Sequence, residues 1–266
     1  MIQINADAPA LSDPALGAFL ADIAEEAARL ILPLWKSGIA VEAKADESPV
    51  TEADRRAETL ILMRLARWFP DTPVISEEHA CEFGTPDQIA SHFFLVDPLD
   101  GTKAFVRGDP NFTVNIALIV HGRPAVGAVS APATGETWFT AAGGAFKRGG
   151  GGEGPHRVRA RPWPAGEAVA LISHTMKPEA KAELMSAYQV AKAEPMDSSI
   201  KLVRIAEGSA DVYPRGGTTM EWDIAAGHAV LEASGGRLAT PEGEAFLYGK
   251  AAAGFRNGPF VARGAA

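Results

Sequence analysis

Residues Phe93-Phe94-Leu95-Val96 run directly into Asp97-Pro98-Leu99-Asp100-Gly101-Thr102-Lys103-Ala104, and no other stretch of the 266-residue chain restricts the fold so tightly. The apolar residues predict a strand, and the strand ends in carboxylates. A spacing of three, with proline forcing a turn, can direct both aspartates and the Leu99 carbonyl to one side as hard oxygen donors suited to Mg²⁺. Gly101 and Thr102 would then supply backbone N–H groups where a helix begins, a cradle for phosphate. An ordinary Asp-Pro turn followed by a helix cap is the competing reading.

Helical and extended patterns alternate around this segment. Between Ala15 and Trp35 the residues Leu16, Phe19, Leu20, Ile23, Ala27, Leu30 and Ile31 recur at three- and four-residue spacing, which predicts an amphipathic helix. A second helix is predicted over Glu52–Trp68, introduced by Ser48-Pro49-Val50-Thr51 and stopped near Pro70. Strands are expected at Pro73–Ser76, Phe93–Val96, Val114–Val120 and Ala125–Ser130. Glycine, arginine and proline crowd Gly143–Pro164, a hairpin loop or a boundary between halves. Beyond it come the run Ala168–Ser173, a helix near Glu179–Tyr188, the apolar segment Ile200–Ala206, and an alanine-rich helix over Asp223–Ser234 closed by Gly235-Gly236. The expected organisation is two fused α/β halves, 1–150 with most of the acidic motifs and 151–266 with Asp223.

Composition narrows the function. A net charge of −8 argues against general nucleic-acid affinity. One cysteine, Cys81, can form no intrachain disulfide, and a reducing cytoplasm is the expected compartment. The amino terminus lacks the basic start and apolar stretch of a signal peptide. No apolar run approaches the roughly 20 residues that span a bilayer, so no integral membrane segment is expected.

Further acids stand at segment ends: Glu77 after Val74-Ile75, and Asp223 at the start of the alanine-rich helix. Each has a plain reading, a solvated loop acid for Glu77 and a helix-start acid for Asp223. Asp54 is equally ambiguous, because Thr51-x-x-Asp54 resembles a capping box. If Glu77, Asp97, Asp100, Asp223 and Asp54 converge, they cannot all stay ionised without cations.

Thr51-Glu52-Ala53-Asp54, Ser76-Glu77-Glu78, Asp97–Thr102 and Trp222-Asp223-Ile224-Ala225-Ala226-Gly227 stand in the order and rough spacing of the inositol monophosphatase-like, lithium-sensitive phosphatase superfamily. The chain resembles it over nearly its whole length. Within it the bacterial 3′(2′),5′-bisphosphate nucleotidases look most similar, through Ser48–Thr51, Asp97–Phe105, Phe112–Leu118, Ser198–Lys201, Tyr213–Arg215 and Trp222–Val230. The resemblance implies an α/β (α+β) chain folded as a layered αβαβα sandwich, like inositol monophosphatase and fructose-1,6-bisphosphatase. It implies Glu77, Asp97, Asp100, Asp223 and the Leu99 carbonyl as ligands of two or three Mg²⁺ ions per site. Asp54 and Thr102 would activate a water, with Glu77 counted in the catalytic group. Gly101, Thr102, Ser199, Lys201, Arg215 and Asp223 would contact substrate.

That substrate would be a small phosphorylated metabolite, foremost adenosine 3′,5′-bisphosphate, cleaved to AMP and phosphate in sulfate assimilation. An inositol or sugar phosphate is the rival substrate. A regulatory binder is the non-enzyme rival, which the intact Asp54 and Thr102 disfavour. The nucleotidase likeness also allows peripheral association with the inner membrane. His79 departs from the family pattern and is expected at the surface or behind the ligands. Gly149-x-Gly151-x-x-Gly154 is rejected as a dinucleotide fingerprint, since Pro155 follows instead of a helix. Lys147, Arg148, Arg157, Arg159 and Arg161 are expected to be a solvated hairpin.

Overall fold

The alternation hidden in Phe93–Val96 is resolved by its surroundings: Phe93 and Leu95 belong to one apolar core, Phe94 and Val96 to another. A strand buried on both faces needs no polar residue at every second position. The computed structural model describes residues 9–38, 41–43, 49–149, 154–164 and 167–265. Ser48, and the glycine motif at 150–153, lie outside the described residues.

In chain order the first elements are α1 (Leu16–Ser37), β1 (Val41–Ala43), β2 (Pro49–Thr51), α2 (Glu52–Trp68), β3 (Val74–Ser76), α3 (Glu77–Phe83), β4 (His92–Asp100) and α4 (Thr102–Val106). Four antiparallel neighbours come next: β5 (Thr113–Val120), β6 (Arg123–Ala131), β7 (Glu136–Ala141) and β8 (Gly144–Gly149), followed by β9 (His156–Val158). The remainder comprises β10 (Val169–Ile172), α5 (Pro178–Tyr188), β11 (Lys192–Pro195), α6 (Ile200–Ala206), β12 (Val212–Arg215), β13 (Thr219–Met220), α7 (Glu221–Ala233), β14 (Arg237–Ala239), β15 (Arg256–Asn257) and β16 (Phe260–Arg263).

Strands β3 to β9 form a seven-stranded sheet in sequence order, parallel between β3 and β4 and antiparallel thereafter. The second sheet has the order β11-β10-β12-β16-β14. Helices α1 and α2 cover one face of the first sheet through Leu20, Ile31, Ile61 and Leu65. Helices α6 and α7 fill the space between the sheets, and α5 closes the outer face of the second through Leu184. The result is the expected mixed α/β layering, helix–sheet–helix–sheet–helix.

Two segments are more ordered than the sequence specified. The glycine-rich stretch Gly143–Pro164 contains β8 and β9, so the first sheet runs on to Val158, past the expected division at 150. The apolar segment Ile200–Ala206 is a helix, buried along nearly all its length. Helix α7 is apolar around most of its circumference and presses against strands on one side and α6 on the other. Small residues make this approach feasible: a Cβ on Gly127 would lie 2.4 Å from the Ala226 carbonyl oxygen, and one on Gly227 would lie 2.7 Å from Leu202 Cδ1. Either clash would displace the helix.

Candidate active site

Strand β4 carries its carboxylates through a bulge, which replaces the turn expected at Pro98. Asp97 pairs with Asn115 and Asp100 with Thr113, so three steps on β4 oppose two on β5. Residues three apart on a regular strand point to opposite faces, and the extra residue brings both acids to one side. Asp97 is buried, and its Oδ1 accepts the Leu99 N–H at 3.0 Å. Gly101 then turns the chain at φ +90°, where a Cβ would meet the Asn111 carbonyl oxygen at 2.9 Å. Gly101→Ala is therefore expected to cost about 1–3 kcal/mol, a fall of several degrees in Tm at about 2–4 °C per kcal/mol for a large domain. An unchanged calorimetric Tm would refute the steric argument.

The two readings of Thr51-x-x-Asp54 turn out to be compatible. One Asp54 oxygen accepts from the Thr51 N–H (2.8 Å) and hydroxyl (2.6 Å), capping α2; the other faces the Thr102 hydroxyl at 3.4 Å. Thr102 Oγ1 also lies 3.1 Å from the Leu99 carbonyl oxygen. Asp54 is 1% exposed, so its pairing with Thr102 is shielded from bulk water.

Glu77 opens α3, and a residue missed in the sequence holds that helix in place. The Glu58 carboxylate, on α2, accepts the N–H groups of Glu78 (3.0 Å) and His79 (3.2 Å). Asp223 sits in the first turn of α7, where its Oδ2 accepts the Met220 N–H at 2.8 Å. Oxygens of Glu77, Asp97 and Asp223 lie within 4.8 Å of one another. Burial, then the charges of Asp100 and Glu77, push the Asp223 carboxyl well above the usual carboxylate range. Asp100 stands beside this trio, its Oδ2 accepting from the Ser198 hydroxyl (2.8 Å) and the Ser199 N–H. Hard oxygens gathered in this way fit a small divalent cation, whose charge would offset their repulsion.

A cleft of about 360 Å³ opens from Glu77, Asp100, Thr102 and Asp223 toward Lys103, Lys201, Tyr213 and Arg215. The three expected wall residues behave differently there. Ser199 is buried, its hydroxyl engaged with Thr113 (2.8 Å) and Asn115 Oδ1 (2.9 Å). Lys201 is buried too, donating to the carbonyls of Met196 (3.0 Å) and Ser198 (2.6 Å); burial, helped by Arg215 and opposed by Asp100 and Asp197, brings its pKa down to about 8. Arg215 is half-buried at the end of β12, and its Nε is buried without a hydrogen-bond partner. Ser198, part of a resembling segment but not among the expected site residues, adopts φ +62° and links Asp100 to Thr113.

A second cleft, of about 540 Å³, flanks the carboxylates from the other side and is lined by Cys81, Trp222 and Arg256. His79 is exposed, with its ring 4.7 Å from that of Phe83, and takes no part in the acidic trio. The basic residues expected to be solvated include three that are ion-paired: Lys147 with Glu136 and Glu207, Arg148 with Asp22 and Glu25, and Arg161 with Asp211. Apart from Glu136 on the adjoining strand β7, their partners lie on distant segments that only the fold brings near. Among the described residues no helix is long and apolar enough to cross a membrane.

The inositol monophosphatase family model matches residues 16–260. The 3′(2′),5′-bisphosphate nucleotidase CysQ of Escherichia coli (strain K12) is 40% identical over 212 residues, covering 78% of this chain and 82% of that protein. The histidinol-phosphatase of Mycobacterium tuberculosis is 32% identical over 246 residues, covering 90% and 92%. Among solved structures, CysQ from Bacteroides thetaiotaomicron, a bacterial member of the inositol monophosphatase family, superposes with a TM-score of 0.72 at 30% identity, covering 93% of this chain and 96% of that one.

Proposed function

The chain belongs to the inositol monophosphatase family, and from that premise we propose that it is a Mg²⁺-dependent phosphomonoesterase acting on a nucleotide 3′,5′-bisphosphate. The observation that carries the reading is the meeting of Glu77, Asp97 and Asp223 beside the Asp54–Thr102 pair. Glu77, Asp97, Asp223 and the Leu99 carbonyl, with Asp100 adjoining, would hold the ions. When bound, Mg²⁺ lowers the pKa of a water and offsets charge on the transferring phosphoryl group. The Thr102 hydroxyl directs its proton toward Asp54 or the Leu99 carbonyl, so its oxygen is left to accept from a water. Asp54 then takes up the threonine proton as the threonine oxygen receives one from the water.

The substrate class follows from the opposite wall. Lys103, Lys201 and Arg215 give the cleft three cations beyond the carboxylates, and the unpartnered Arg215 Nε supports recognition of a second phosphate. Cationic surroundings disfavour an amine such as histidinol phosphate, and a guanidinium offers no acceptor to inositol hydroxyls.

Phosphate release from adenosine 3′,5′-bisphosphate, inositol 1-phosphate, histidinol phosphate, fructose 1,6-bisphosphate and an aryl phosphate tests this. The bisphosphate nucleotide should give the highest kcat/KM. Arg215→Glu should lower that value about 10- to 150-fold, the equivalent of a charge-assisted hydrogen bond of roughly 1.5–3 kcal/mol, while affecting inositol 1-phosphate much less. Equal losses on both, or a wild-type preference for a monophosphate, would refute the nucleotidase reading and leave the phosphatase reading standing.

A further inference from the structure

Two residues before Asp223, a further carboxylate is fully buried and stands outside the acidic trio. The oxygens of Glu221 accept the N–H groups of Gly249 (2.7 Å) and Lys250 (2.9 Å) and the Lys250 ammonium (2.9 Å). That ammonium also donates to Asn257 Oδ1 at 3.0 Å and to the Leu247 carbonyl. Asn257 Nδ2 in turn donates to the Met220 carbonyl at 2.9 Å and faces Thr219 Oγ1 at 3.3 Å. Met220 is the residue whose N–H holds Asp223 Oδ2. The Glu221 N–H, finally, donates to the Phe255 carbonyl at 2.9 Å. A closed circuit of hydrogen bonds thus leaves the first residue of α7, crosses residues 247–257, and returns to the residue just ahead of that helix.

An ion pair between a buried carboxylate and a half-buried ammonium is weak as a source of net stability, because desolvation of the carboxylate offsets the attraction. What it supplies is direction. Both Glu221 oxygens are fixed by three donors, which sets the first turn of α7, while Asn257 sets Met220 from outside the helix. The Lys250 ammonium also offsets the Glu221 charge, so this further acid adds little net repulsion to the nearby carboxylates. We propose that Glu221, Lys250 and Asn257 are positioning residues that hold Asp223 in place to bind the metal. This inference rests on the metal-dependent reading above.

The test uses the full chain and has a readout independent of turnover. Mn²⁺ binding to the purified protein is followed by electron paramagnetic resonance, together with thermal melting, the Mg²⁺ concentration for half-maximal phosphate release, and kcat at saturating Mg²⁺. Asn257→Ala removes the link to Met220 without changing charge. The double variant Glu221→Gln with Lys250→Met keeps the shapes and removes the charged pair. Each should melt cooperatively, bind Mn²⁺ about 10- to 100-fold more weakly, as for other residues that orient metal ligands, and regain most of kcat at saturating Mg²⁺. Cooperative melting with wild-type Mn²⁺ affinity in Asn257→Ala would overturn the proposal even if the double variant failed to fold. A wild-type protein that binds no Mn²⁺ would overturn the metal reading itself.

Discussion

Asp97→Asn, Asp223→Asn and Glu77→Gln are each expected to reduce phosphate release to background while the protein stays folded. The amide oxygen in the first two variants can still accept the bond now made from Leu99 or Met220, so local geometry survives the loss of charge. Removal of one acid also relieves the others: Glu77 is among the charges that push Asp223 up. In the absence of metal these variants should therefore melt at or above the wild-type temperature, and the rise in Tm on adding Mg²⁺ should disappear, because a ligand stabilises only the state that binds it. Calorimetry with and without Mg²⁺ measures both effects. Near-normal turnover in all three would refute the assignment of the site.

Thr102→Ala and Asp54→Asn are expected to lower kcat by about 10²-fold or more, the range for general-base catalysis, with little change in KM. A group that acts on the water in the transition state affects kcat in this way. The two variants should differ in stability. Asp54 also caps α2, and disturbing a cap costs roughly 0.5–2 kcal/mol; Thr102→Ala touches no cap. Changes confined to KM in both variants would make the pair a substrate-binding device.

These expectations draw on parts of the chain that were unequally legible. Helix α2 begins and ends where its sequence says, because Thr51 and Asp54 mark its start by short-range hydrogen bonds and Pro70 lies just beyond its end. The β4 carboxylates were legible as a group, but the bulge that aligns them was not, since it exists only in register with Asn115 and Thr113. Glu58 reads as one more acid on a helix surface, and its role depends on α3 arriving from twenty residues away. Lys201 stands in sequence as a wall cation; the carbonyls of Met196 and Ser198 that engage it belong to a loop folded back on α6. Glu221 and Lys250, twenty-nine residues apart, show no pattern that would pair them.

Helix α7 has one more consequence, for how such a chain diversifies. With Gly127 of β6 pressed against one side of the helix and the helix's own Gly227 pressed against Leu202 of α6 on the other, the helix has almost no face on which accumulated substitutions could be absorbed without moving Asp223. Ser173, Thr175 and Arg215 touch the cleft from the second half of the chain, in segments outside α7 and free of that confinement. Inheritance should therefore keep the hydrolytic end fixed as a unit and let substrate preference drift in these segments, so that exchanging them between relatives transfers selectivity without rebuilding the chemistry.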